Sequence, residues 1–134
     1  MACRIGANTP SDPMVRLTEE APGYENALDH LWEDVVGRKM YITGGLGTQQ
    51  YGFEGFGDPY VLIHDGAYAE TCAAVAHALW QYRMNLLKGD AKYIDVMELA
   101  LHNGVLAGFS IAGNGYFYEN RLVKNKGQRG PWKG

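Results

Sequence analysis

No apolar run in this chain of 134 residues comes near the roughly 18 needed to span a bilayer, which excludes a membrane-crossing helix within it. The opening Met1-Ala2-Cys3-Arg4-Ile5-Gly6 lacks the apolar centre of a signal peptide. Cysteine is scarce: Cys3 and Cys72 are the two in the chain, one in an irregular lead-in and one in a predicted helix. They read as reduced thiols rather than a disulfide framework, and the expected setting is cytoplasmic. Basic clustering is also missing. The net charge is −3, and only Lys124, Lys126 and Arg129 gather near the C-terminus, so a nucleic-acid partner is not expected. No HExxH spacing links the four histidines, and no P-loop Lys-Ser/Thr follows the glycines of Gly44-Gly45-Leu46-Gly47, which read as a turn. There is no internal repeat and no low-complexity segment.

What is present is a globular composition, 46% hydrophobic and 20% charged, enough for one core in a single domain or a piece of one. The 18 glycines and 9 tyrosines add tight turns and polar-tipped aromatic groups. Residues 1–16, with Pro10 and Pro13 and no hydrophobic period, read as an irregular lead-in. From Pro22 to Gly37 the residues Ala27, Leu28, Leu31, Trp32, Val35 and Val36 recur at helical spacing and predict one buried stripe. Met40 to Thr43 is short and β-prone. Residues 44–66 form a long loop with seven glycines and Pro59, a length that is usually functional. A second helix is expected from Ala67 to Leu87, apolar on more than one face. Lys88-Gly89-Asp90 makes a turn with Asp90 as N-cap, and a third helix carries Tyr93 to Leu106 antiparallel to the second. Phe109-Ser110-Ile111, the turn Ala112-Gly113-Asn114-Gly115 and Tyr116-Phe117-Tyr118 read as a β-hairpin.

The chemistry-bearing residues gather around the long loop. Glu54 lies between glycines in Phe53-Glu54-Gly55-Phe56-Gly57, a carboxylate free for acid/base work. Sixteen residues later Tyr68-Ala69-Glu70-Thr71-Cys72 sets a carboxylate and a soft thiol two residues apart, a pairing that suits zinc. A plain structural reading fits the same residues, because glutamate stabilises a helix start and a single cysteine is usually core. Geometry separates the two. Residues two apart in a helix point about 200° from one another, so Glu70 and Cys72 can reach one ion only if the helix begins close to Glu70. His30, His77 and His102 fall in predicted helices as packing or surface residues, and His64 lies in the loop six residues before Glu70.

Four ordered blocks carry a resemblance. Tyr41-Ile42-Thr43-Gly44-Gly45-Leu46-Gly47, Tyr68-Ala69-Glu70-Thr71-Cys72-Ala73, Lys92-Tyr93-Ile94-Asp95-Val96-Met97-Glu98 with Asn103-Gly104-Val105-Leu106, and Tyr116-Phe117-Tyr118-Glu119-Asn120 resemble glycoside hydrolase family 127, from about residue 25 onward. The resemblance implies a β-L-arabinofuranosidase-like retaining hydrolase acting on a carbohydrate. Its fold would be mainly α, part of an (α/α)6 barrel, with about three of its helices, the Gly-rich loop and the C-terminal β-hairpin in this chain. Residues 17–134 would be a barrel domain truncated at both ends.

Carried over position by position, the resemblance implies Glu54 as general acid/base, Glu70 and Cys72 as the first two zinc ligands, and Tyr118 as a sugar contact. The family's nucleophile and remaining ligand come from a Cys-x-Cys-Cys-Pro block, and this sequence stops at Arg129-Gly130-Pro131-Trp132-Lys133-Gly134 without it. The expected zinc site is therefore incomplete here, and the chain alone is expected to be inactive. Two departures concern loop shape: Leu62-Ile63-His64-Asp65 replaces a usual Leu-Pro-Asn-Asp, and Glu119 and Arg121 flank Asn120 where the family usually has Val and Pro. Missing barrel neighbours would leave apolar helix faces open to self-association or to the absent segments. The alternative reading is a non-catalytic helical interaction module derived from such an enzyme.

Overall fold

The computed structural model describes residues 23–48 and 55–123, together with the backbone of Trp132–Lys133. The predicted lead-in over 1–16, the residues up to 22, Cys3 and Glu54 lie outside the described residues.

Three α-helices dominate: α1 at Gly23–Asp34, α2 at Thr71–Lys88 and α3 at Ala91–Ala100. The π-helical turn Val35–Lys39 extends α1, and α3 runs on through the π turn Leu101–Val105 into the 3-10 turn Leu106–Gly108. The turn between α2 and α3 is built as its sequence demands. Gly89 takes the left-handed conformation at φ 69° and its N–H returns to the Asn85 carbonyl, while the Asp90 carboxylate accepts from the Lys92 N–H at 3.0 Å. This short connection folds α3 back along α2.

The interior lies on one face of α2, where Ala74, His77, Ala78, Gln81 and Met84 are buried at three- and four-residue intervals. Tyr93 and Ala100 face it from α3. Small residues let the backbones approach: a Cβ on Gly104 would stand 2.7 Å from the Cβ of Ala74. The second helix begins at Thr71, not at Ala67 as its composition suggested. Residues 67–70 instead form non-helical backbone, with Ala69 left-handed at φ 41°, and the bonds of Ala69 and Thr71 to distant segments override the local helical propensity.

Helix α1 departs from its expected burial. None of its own residues is buried, Leu31 is 55% exposed, and of the predicted stripe only Val35, in the π turn, is covered. It docks instead through Trp32, whose ring meets Tyr93 edge-on at 5.2 Å and whose Nε1–H donates to Gln81 Oε1 at 2.7 Å. Lys88, at the end of α2, clamps the same junction with Glu25 at 2.6 Å and Asp29 at 2.8 Å.

Met40 to Thr43 is a turn rather than a strand: Gly44 N–H donates to the Tyr41 carbonyl at 2.8 Å and Tyr41 N–H to the Gly45 carbonyl at 3.0 Å. The described part of the long loop is stitched down by Tyr41 Oη on the Ile63 carbonyl and Thr48 Oγ1 on the Val61 carbonyl. The C-terminal hairpin forms only in part. Phe109 and Tyr116 make a single antiparallel bridge across the Gly113 turn. The strand that contains Tyr116, β1 at Gly115–Tyr116, has its ladder partner in β2 at Trp132–Lys133. On the far side of α2, Leu79 is 62% and Tyr82 48% exposed, as expected for helix faces that lack neighbours. No helix among the described residues is long and apolar enough to cross a membrane.

Candidate functional site

The segment Ala69-Glu70-Thr71 is held by a short ladder to residues 117–120. Glu70 bridges Glu119 antiparallel, Thr71 N–H donates to the Tyr118 carbonyl at 2.9 Å, and Asn120 N–H donates to the Ala69 carbonyl at 3.0 Å. The Thr71 hydroxyl adds a 2.6 Å bond to the Phe117 carbonyl. Asn120 then anchors the ladder to the end of α3, its Nδ2 donating to the Asn103 and Gly104 carbonyls at 3.1 and 3.3 Å. From the other side Ala69 N–H donates to the Gly47 carbonyl at 2.8 Å. Ala69 sits at φ 41°, a left-handed conformation uncommon for alanine, and these bonds on both sides hold it there.

This scaffold resolves the geometric objection to a Glu70–Cys72 pair. Glu70 is the N-cap of α2, with extended φ −62° and ψ 136°, so its side chain leaves the chain before helical rotation begins. Its carboxylate Oε1 then meets Cys72 Sγ in a hydrogen bond. Glu70 is 7% exposed, while Cys72 is an exposed thiol. One oxygen and one sulfur donor, converging from a clamped backbone, are a donor set suited to zinc, which takes both carboxylate and thiolate ligands. No group of three or more His, Cys, Asp or Glu side chains converges among the described residues.

A cavity of about 500 Å³ takes Glu70 of the pair into its lining. Glu70 and His77 line it among Leu31, Leu46, Tyr68 and Trp80. Gly55 and Phe56 also line it, which brings the residues directly after Glu54 to the same space. Tyr118 is near too, its ring 6.5 Å from that of Tyr68 and 40% exposed. His64 and His102 do not line the cavity, and His64, His30 and His102 are all exposed. Glu119 makes an ion pair with Arg121 at 2.5 Å directly across the ladder from Glu70.

His77 is the residue that sequence reasoning undervalued. It is 2% exposed, and its Nδ1 lies 3.1 Å from the Gly44 carbonyl, a geometry that makes Nδ1–H the donor. Burial pushes its pKa below the ordinary 6.5, with the Gly44 bond pulling weakly the other way. The signal was there in the three- and four-residue spacing that sets His77 with Ala74, Ala78 and Gln81 on one face of an apolar helix. The sign of the pH effect follows from linkage. Stability from a neutral buried His77 is complete above the unfolded value of 6.5 and is lost as pH falls through the lower folded value. In His77→Asn the fall in thermal midpoint on acidification below 6.5 is expected to flatten, and an unchanged slope would show that His77 does not govern it.

Comparison with known proteins gives a consistent answer. The model of the family described as β-L-arabinofuranosidase, GH127 catalytic domain, matches residues 13–134. A non-reducing end β-L-arabinofuranosidase of Bifidobacterium longum subsp. longum is 39% identical over 100 residues, covering 75% of this chain. This chain spans 15% of the length of that relative. Among solved structures, a GH127 β-arabinofuranosidase superposes with a TM-score of 0.79 at 43% identity, over 89% of this chain and 19% of that one. A GH127 β-L-arabinofuranosidase from Geobacillus stearothermophilus T6 gives 0.75 at 43% identity, over 81% and 17%. With the family model, the sequence relative and the solved structures in agreement, the chain belongs to the GH127 β-L-arabinofuranosidase family and represents a part of its catalytic domain.

Proposed function

We propose that this chain is the portion of a retaining glycoside hydrolase, acting on β-L-arabinofuranosides or related sugars, that carries the acid/base and two zinc ligands. The observation that carries the reading is the meeting of the Glu70 carboxylate with the Cys72 sulfur at the start of α2. In this reading Glu54 gives a proton to the departing glycosidic oxygen and later takes one from the attacking water, the acid-then-base exchange of a retaining enzyme. Glu70 and Cys72 would hold the metal, and zinc, when bound, keeps a cysteine sulfur as thiolate near neutral pH. The attacking cysteine would come from sequence beyond these 134 residues. Tyr118, exposed beside Tyr68, would contact a sugar hydroxyl or stack on the ring. An (α/α)6 barrel completed by further segments would cover the exposed face of α2.

The test is zinc binding by the protein that carries this chain with the rest of its catalytic domain. Stoichiometric tight zinc is expected in the parent. Loss of a direct ligand in Cys72→Ser is expected to weaken affinity by more than the about 10–100-fold that follows loss of an outer partner. Equal affinity in both proteins would remove Cys72 from the site. The exposed Leu79 and Tyr82 favour a second reading, a helical module that self-associates or binds another protein through α2. Sedimentation of this chain separates the two: a monomer at all concentrations counts against the module.

A further inference from the structure

Three elements meet at Gly44. Its carbonyl receives the Nδ1–H of His77 from α2 at 3.1 Å. Its α-carbon presses on the end of α3 so closely that a Cβ there would stand 2.7 Å from Ala100 N and 2.8 Å from Ala100 Cα. Its own N–H closes the Tyr41 turn. Gly44 is thus a fixed point, and three residues further on the Gly47 carbonyl receives the Ala69 N–H at 2.8 Å. Ala69 is the left-handed residue immediately before Glu70. Two hydrogen bonds joined by the Gly44–Gly47 backbone therefore run from a buried histidine to the residue before Glu70.

We infer that His77 is a positioning residue for the Glu70–Cys72 pair, acting through the Gly44–Gly47 turn and the Ala69 amide and not by contact with the reacting groups. A histidine suits this task better than an apolar residue of equal size, because a buried carbonyl left without a donor is costly. Its Nε2, buried with no hydrogen-bond partner among the described residues, fits a neutral ring whose one proton is committed to Nδ1. The inference rests on the reading above only in treating Glu70 and Cys72 as a working pair, and its test requires neither zinc nor substrate.

The experiment is residue-resolved amide exchange on this chain, with the Ala69 amide as reporter and the Met97 amide in α3 as reference. Loss of one net hydrogen bond in His77→Leu is expected to speed Ala69 exchange about tenfold relative to Met97. His77→Asn, which offers a donor near the Nδ1 position, is expected to restore most of the protection. Equal acceleration of Ala69 and Met97 would mean that His77 only supports global stability, and unchanged Ala69 exchange would break the path; either result overturns the inference. Should His77→Leu fail to fold, the Asn variant and the wild-type ring decide. Two-bond ¹H–¹⁵N spectra are expected to show the proton on Nδ1, and a ring protonated on Nε2 alone overturns the inference. Failure here with intact zinc binding would leave the proposed function standing, whereas absent zinc with a protected Ala69 amide would do the reverse.

Discussion

Gly44→Ala is expected to cost about 3–5 kcal/mol, enough to unfold much of the chain at ambient temperature. Two independent penalties combine. The φ of +80° is a conformation that L side chains adopt only with strain, and the added Cβ would sit 2.7 and 2.8 Å from Ala100 backbone atoms. Backbone cannot swing aside as a side chain tip can, so the clash must be relieved by separating the turn from α3. Gly47→Ala is the matched control. Its φ is +93°, yet nothing stands within 4 Å of the added Cβ, so it bears only the conformational penalty. Its expected cost is about 1–2 kcal/mol. Urea midpoints of the two variants check the difference, and equal losses would show that contact with Ala100 contributes nothing.

Glu54→Gln, made in the protein that carries the complete catalytic domain, is expected to lower turnover of an alkyl β-L-arabinofuranoside by about 10²–10⁴-fold, the range of general acid–base catalysis. The amide keeps the size of the side chain and removes its proton exchange. A p-nitrophenyl glycoside, whose leaving group needs little protonation, is expected to lose far less in the first step, so the ratio between substrates identifies the role. Glu33→Gln, an exposed carboxylate on α1, serves as the comparison and is expected to match the parent. Equal turnover of both substrates in Glu54→Gln and parent would assign the proton transfer to another group.

The sequence was most legible where local rules act alone. Asp90 as an N-cap, Gly89 as a left-handed stop and the helical spacing of α2 and α3 were each readable from a few neighbouring residues, and the structure has them. It was least legible where distant segments decide. Residues 67–70 read as helix because Ala67, Tyr68 and Ala69 carry no stop signal, and the bonds of Ala69 and Thr71 to residue 47 and to residues 118–120 keep them out of it. The stripe on α1 was likewise counted as buried, yet burial needs a partner surface, and the described residues supply one only around Trp32 and Val35. The pairing of Glu70 with Cys72 was conditional on where the helix starts, a matter that periodicity leaves open by several residues. His77 was passed over because a histidine amid apolar helix positions has no local mark that distinguishes a held carbonyl from simple packing.

The bond between the Thr71 hydroxyl and the Phe117 carbonyl spans 46 residues. During synthesis the ribosome must therefore release the chain through Asn120 before the ladder that holds residues 69–71 can form. The order of translation thus sets the clamp on Glu70 and Cys72 last, after both α2 and α3 have been made.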